Sequence, residues 1–411
     1  MGESRSRRYR LGAGLLATMA AAALVAAGCT TPNNNNGGGA SVGPSDNLPS
    51  KPSQPIANLN ILDVTGNAQL TQGIFDDFTK SHSDIIQKVT ISTEKAPNLA
   101  GKLKAQEDAG QLNIDLVLTG TDGLSAGIAG GLYQPIDGYT NRLSNMANYT
   151  DPAKKMQELA QGQAVEIVEY PSGPLIEYDP SKVTNPPTTT DELLAWCQAH
   201  PGKFQYAQPK NSGPGRTFLM GLPYLLNDSD PKDPTNGWSK TWDYLSKIGQ
   251  CSAPYETGTG NTMKNIANGT VNMIASTTGW YINPRVLGTV PATEKFTTLK
   301  GFHWVTDAQY AAIPKGISQD KLVAELALIN FILDKKEQAI TYDKGYFYPG
   351  PAVKDVKLSD APQSSQDAIA KFGDPSFDDL IANNPQETSL PADKQVTAFG
   401  LWDTKIGATK K

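Results

Sequence analysis

The chain has 411 residues, a formal net charge of −5, 38% apolar and 19% charged residues, and three cysteines. That length suffices for one large or two medium domains with a sizeable core. The charge balance and the lack of a basic cluster in the body exclude nucleic acid and anionic lipid as expected partners.

The N-terminus reads first. Arg5, Arg7, Arg8 and Arg10 precede an uncharged apolar run from Leu11 to Val25, then Ala26-Ala27-Gly28-Cys29. A basic start, a short apolar run and a small-residue cleavage site predict an export signal over residues 1–28. The run is shorter than the roughly 20 residues of a spanning helix. Ala-Ala-Gly-Cys resembles the bacterial lipobox, which implies acylation of Cys29 and cleavage before it. Ala26 stands where that pattern prefers Leu. Ser6-Arg7-Arg8 leaves the export route open between the Sec and twin-arginine pathways. Residues 29–58 are rich in Asn, Gly, Ser and Pro, with little to bury, and predict a flexible tether before the body. The signal's net +3 leaves −8 for the rest. The expected location is extracytoplasmic, lipid-anchored to the outer face of the bacterial cell membrane. There, Cys197 and Cys251 are expected to form a disulfide; two separate buried thiols are the alternative.

In the body, Leu59–Val64 predicts a strand, and Leu70, Ile74, Phe75 and Phe78 fall at helical spacing. Val89–Ser92 predicts a strand, Asn98–Ala109 a helix, and Ile114–Leu118 a third strand ended by Thr119 to Gly123. A helix of small residues then runs to Gly131. This alternation argues for a mainly parallel, doubly wound α/β sheet. A second unit opens with extended runs at Val165–Val168 and Pro174–Tyr178. Thr189 and Glu192 suit a capping box for a helix over Asp191–Ala199. Further strands are expected at Phe204–Ala207 and Val271–Ala275, and helices at Arg216–Leu226 and Trp238–Ile248. Gln309–Ile313 predicts a strand, and Ser318 caps an amphipathic helix over Lys321–Leu333.

Four segments fall in a telling order: LVLTGTDGLSAGIAGGLYQPID, PPTTTDELLAWCQAHPGKF, NGTVNMIAS and AAIPKGISQDKLVAELALINFILDKKEQAITYDKGYFYPGPAV. Over residues 59–355 the chain resembles the extracellular solute-binding proteins of bacterial ABC importers, in the branch of polyamine, thiamine and iron binders. The resemblance implies a periplasmic-binding-protein-like fold: two lobes, each a mainly parallel sheet flanked by helices, closing on a ligand about a hinge. It implies crossings near Glu166–Tyr170 and His303–Asp307, hence lobe I over 59–168 plus 305–411 and lobe II over 169–304. It further implies a monomer that serves an ABC permease, without a cofactor.

In open α/β sheets, ligands sit outside the carboxyl ends of strands. The candidates are Thr65, Asn67, Thr119, Thr121, Asp122, Asn211, Ser212, Arg216, Thr217, Ser276, Trp280 and Tyr346. Asn211 to Thr217 opens a helix whose positive end favours an anion, with Arg216 as a bidentate donor. The alternative is plain N-capping by Ser212 with Arg216 solvated. Asp122 suits a ligand cation or a helix cap. Trp280, Tyr281 and Tyr346 suit stacking on a ring or cation, or core packing. The iron binders use adjacent tyrosines; here Phe347 separates Tyr346 from Tyr348, which argues against iron.

Enzymatic readings are thinner. Gly123-Leu124-Ser125-Ala126-Gly127 matches the nucleophile-elbow pattern, but Ser125 lies past the strand end, and only His200 and His303 follow as bases. Ser92-Thr93-Glu94-Lys95 has no supporting motif. Gly258-Thr259-Gly260 lacks the rest of a phosphate loop. His82, His200 and His303 are isolated, so no metal site is expected. The expected function is a non-enzymatic receptor for a small polar solute. A serine hydrolase using Ser125 and a surface binding module without a transporter are the alternatives.

Overall fold

A computed structural model describes residues 47–410. The expected export signal, Cys29 and the expected tether up to residue 46 lie outside the described residues. Ten strands are found there: β1 (Leu59–Asp63), β2 (Val89–Thr93), β3 (Leu116–Gly120), β4 (Val165–Gly173), β5 (Leu175–Tyr178), β6 (Phe204–Gln205), β7 (Met273–Ser276), β8 (Lys295–Thr297), β9 (Trp304–Ala312) and β10 (Gln386–Glu387).

They build two sheets. The first has the order β10-β9-β3-β1-β2, with β4 along the other edge of β9; the second is β6-β7-β5-β8. β1 pairs in parallel with β2 and β3, as the β-α-β alternation requires. Leu59 and Ile61 face one apolar core with Phe75, Phe78 and Ile329, while Leu62 faces another with Val117, Tyr133 and Tyr310. Both faces of the sheet are therefore covered, which is why its strands read as apolar runs. Each such side chain contributes about 1.5–3 kcal/mol on full burial.

The second sheet departs from the expected mainly parallel pairing. Only β6 with β7 is parallel; β5 pairs antiparallel with β7 and β8. The reason is connectivity. β5 enters straight from β4, and β8 leads back to β9, so the pieces nearest the crossings run opposite to their neighbours. β4 and β9 are long antiparallel partners, from Val165 opposite Ala311 to Gly173 opposite Val305. The chain passes to the second sheet between Gly173 and Leu175, past the expected Glu166–Tyr170, and returns between Thr297 and Trp304.

Other boundaries moved as well. The chain already packs on the body at Leu48, in the first core, and Ile56 bridges to Ile86, so the expected tether to residue 58 is too long. The helix Gln319–Ile332 buries residues around most of its circumference, Glu325 included, and is a covered helix rather than an amphipathic one. Near the C-terminus, Leu390, Ala398, Trp402 and Ile406 join the core of the second sheet, not lobe I as expected for 305–411. Trp402 Nε1 donates to the Tyr206 hydroxyl there at 3.2 Å. Cys197 and Cys251 are paired, with sulfurs 2.11 Å apart, and tie the helix Thr190–Ala199 to the helix Ser239–Cys251. No described helix is long and apolar enough to cross a membrane.

Candidate functional site

The ends of β1, β3 and β7 and the turn after β6 open toward one cavity of about 250 Å³ between the sheets. Of the expected residues, Thr65, Asp122, Asn211, Ser212, Arg216, Trp280 and Tyr346 line it. Asn67, Thr119, Thr121, Thr217 and Ser276 do not. Each is buried behind the lining. β3 runs two residues further than expected, so Thr119 is a strand residue under the following helix. Thr121 supports the site indirectly, donating from Oγ1 to Asp307 Oδ1 at 3.1 Å. Thr217 turns back to the Pro214 carbonyl. Tyr281 packs into a separate core against Phe296 and Phe377, with Arg285 over its ring at 3.7 Å.

The two walls differ electrostatically. On the first-sheet side, carboxylates occupy the helix starts. Asp63 accepts from the backbone N–H groups of Thr65, Asn67 and Ala68 at 2.8–3.1 Å, and Asp122 Oδ1 accepts from Gly123 N–H at 2.8 Å. On the second-sheet side, the helices Gly213–Leu225, Thr259–Ala267 and Thr278–Val286 all begin at the cavity, and none has an acidic residue in its first turn. Their uncompensated N-termini make that wall positive. Ser212 caps the first of these helices, accepting from Gly215 N–H at 3.0 Å, and bonds Thr259 Oγ1 at 2.8 Å. Thr277 caps the third.

Arg216 lies between the walls, 3% exposed. The solvated alternative is thereby corrected: helix geometry aims this side chain inward. Its Nη2 donates to the fully buried Asp307, and its Nη1 is 3.0 Å from Asp122 Oδ2. That second approach is an ion pair without hydrogen-bond alignment, for Nη1 and Nε have no acceptor. Burial alone would lower the guanidinium's pKa, but Asp307 and then Asp122 outweigh it and the net shift is upward. Arg216 is therefore permanently charged.

The aromatic edge holds Trp280 and Tyr346, stacked edge to face at 5.6 Å, with the Tyr346 hydroxyl donating to the Thr65 carbonyl. Tyr348 packs away from the cavity against Tyr342 and Phe377. Sequence reasoning missed Tyr170, Ser172, Gln309 and Phe347, which line the cavity from the crossing strand and its surroundings. It also set aside Gly258-Thr259-Gly260 as a failed phosphate loop, yet these residues form a wall. Glycine at the start of a helix was the available signal. Gln309 accepts from Thr65 Oγ1 at 2.7 Å and donates to the Tyr170 hydroxyl at 3.2 Å.

Ser125 does not support nucleophilic catalysis. It sits inside the helix Thr121–Ala129, buried, donating to the Thr121 carbonyl at 2.6 Å. His200 is bonded to the Trp196 carbonyl and His303 to Glu387, so neither serves it as a base.

Under the cavity, β4 carries the buried Glu166 and Glu169. Burial pushes Glu169 up to about 8. Glu166 is raised well above its ordinary range by burial and then by Glu169. The unfolded chain loses these protons near the ordinary 4.5 and the native state retains them, so stability falls as pH rises through about 4.5 to 8. The denaturant midpoint is expected to drop between pH 5 and pH 9, and Glu169→Gln to flatten the slope. A midpoint that holds or rises over that range refutes the assignment.

A family model of bacterial extracellular solute-binding proteins matches residues 73–371. Among curated proteins none matches the chain. Similar solved structures include the periplasmic binding protein AfuA of Actinobacillus pleuropneumoniae with fructose-6-phosphate bound, at 16% identity and a TM-score of 0.62, covering 85% of this chain and 99% of that one. The spermidine/putrescine substrate-binding protein PotD of Streptococcus pneumoniae is similar at 15% identity and a TM-score of 0.57, covering 84% and 99%. The apo ferric ion-binding protein A of Pasteurella haemolytica is similar at 16% identity and a TM-score of 0.58, covering 85% and 97%. At such identities these likenesses speak for the two-lobed fold alone. With the family match spanning most of the chain, the protein belongs to the bacterial extracellular solute-binding proteins.

Proposed function

We propose that the protein is a lipid-anchored receptor that captures a small polar solute carrying a carboxylate or phosphate and delivers it to an ABC permease. Cys29 is its membrane attachment, residues 59–173 and 174–303 supply most of the two lobes, and the cavity between the sheets is the capture site. Its mechanism is binding, closure of the lobes about β4 and β9, and presentation to the permease. It acts as a monomer on the outer face of the cell membrane, without covalent chemistry.

One observation carries the choice of ligand. Three helix N-termini with no acidic residue in the first turn meet at one cavity, beside the buried, unpartnered Ser172 Oγ and Arg216 Nε. Such donors satisfy an oxyanion. The similar structures name a sugar phosphate, a polyamine transporter and ferric ion, so the fold leaves the ligand class to the lining. Only Tyr346 of the tyrosine pair faces the cavity, which disfavours iron.

The test is a thermal-shift screen of the mature chain, as Cys29→Ser, against carboxylates, phosphorylated sugars, polyamines and vitamins. An anion at 100 times its Kd adds about 2.7 kcal/mol and raises Tm saturably. In cells, palmitate label is expected on the parent chain and not on Cys29→Ser. A shift by polyamines alone overturns the ligand class, and equal labelling of both chains overturns the anchor.

A further inference from the structure

Asp122 stands where the two walls meet. It lies in the first turn of the helix Thr121–Ala129, on the first-sheet side, and keeps that place through Oδ1, which accepts from Gly123 N–H. Its Oδ2 reaches across to Arg216 Nη1 of the helix Gly213–Leu225. The Arg216 guanidinium thus has two carboxylate partners, but they are not equivalent. Asp307 is fully buried, hydrogen-bonded to Nη2, and held by Thr121 Oγ1 and by Ala308 N–H at 3.0 Å. It has no route out. Asp122 is 10% exposed at its side chain, lines the cavity, and approaches Nη1 without hydrogen-bond alignment.

One carboxylate neutralises one guanidinium, so the trio carries a surplus negative charge at the cavity wall. The guanidinium keeps N–H donors at Nη1 and Nε without an acceptor, and an oxyanion entering the cavity can accept from them. Ser172 Oγ, buried and without a partner, lines the same cavity and adds a donor. Resting on the anionic-ligand reading above, we propose that Asp122 is a built-in competitor for the ligand's oxyanion. It stands against Nη1 of Arg216 and sets the cleft's affinity by repelling the anion that must replace it. The same contact joins a helix of the first-sheet side to one of the second, so the ligand exchanges an internal bridge between the walls for a bridge through itself. Weak anions fail to make that exchange. Anions that also engage the helix N-termini succeed, and in this way one carboxylate confers selectivity.

The test compares the mature Cys29→Ser chain with its Asp122→Asn form by calorimetric titration of inorganic phosphate, citrate and spermidine. Asparagine keeps the acceptor for Gly123 N–H and removes the charge. Phosphate or citrate is expected to bind Asp122→Asn about tenfold more tightly, a difference of about 1.4 kcal/mol. Asp122→Ser serves as a second variant should Asp122→Asn fold poorly, with the same expectation. Unchanged or weaker anion binding in the variants, with the parent chain binding the anion, overturns the competitor role and leaves the anionic reading standing. Binding of spermidine to the parent chain that disappears in Asp122→Asn makes Asp122 a cation ligand and overturns both. Failure of phosphate and citrate to bind any of the three chains overturns the proposal for these oxyanions.

Discussion

Arg216→Ala is expected to destabilise the folded protein by about 3–5 kcal/mol, the cost of leaving a buried charge without its partner. The charge in question is Asp307, which has no exposed surface and keeps only the Thr121 hydroxyl and the Ala308 N–H once the guanidinium is gone. Asp122 loses its partner too, but its exposure lets water compensate, so most of the loss comes from Asp307. Guanidinium denaturation followed by tryptophan fluorescence measures the effect. The double variant Arg216→Ala/Asp307→Asn is expected to recover a large part of the loss, because it removes the stranded charge. A loss below about 1 kcal/mol in the single variant would mean that water reaches Asp307 and that the pair is not buried in solution. The result also governs any binding study. A ligand affinity measured on Arg216→Ala reports the site only after the stability of that variant is known.

Replacing Cys197 and Cys251 together with alanine is expected to cost about 4 kcal/mol. The bridge closes a loop of sequence separation 54, and the loop-entropy relation gives that size for such a length. Alanine is the better replacement because both sulfurs sit in an apolar core with Leu193, Leu245 and Ile248, where a serine hydroxyl would need a partner. Calorimetry of the parent chain with and without a reductant supplies the matching observation. A reduced parent that melts with the double variant attributes the loss to the bond. Equal Tm values for oxidised parent, reduced parent and variant would show that the two helices are held by packing alone. The bridge lies in the core of the second sheet, whose helices also form one wall of the cavity, so ligand-induced shifts are to be compared only among oxidised samples.

What could be read without coordinates was whatever depends on local order along the chain. Strand β1, the helix with Leu70, Ile74, Phe75 and Phe78, and strand β2 follow from periodicity, because their apolar faces repeat at the spacing of their own geometry. The Ser212 cap was legible for a like reason: a cap bonds three residues ahead. The family resemblance rested on the order of such pieces and extended to the two-lobed fold. The disulfide was inferred from cysteine count and compartment.

The remainder depended on contacts distant in sequence. The length of β9 was missed at Trp304 to Ala308 because this strand, buried on both faces at a crossing, carries the consecutive polar residues Thr306 and Asp307, one on each face, so neither an apolar run nor an alternation marks it. The antiparallel second sheet follows from where the chain enters and leaves it, which no local pattern encodes. Trp402 gave no sign that it would pack against Tyr206, 196 residues earlier. Arg216 is the clearest case. Its sequence neighbours are glycine, proline and threonine, and its partners lie 94 and 91 positions away at Asp122 and Asp307. Local sequence placed the guanidinium at a helix start; only the packing of three separate elements determined that it would be buried, paired twice, and left with Nε unpartnered, because charge pairing in an interior depends on which groups share the same low-dielectric space.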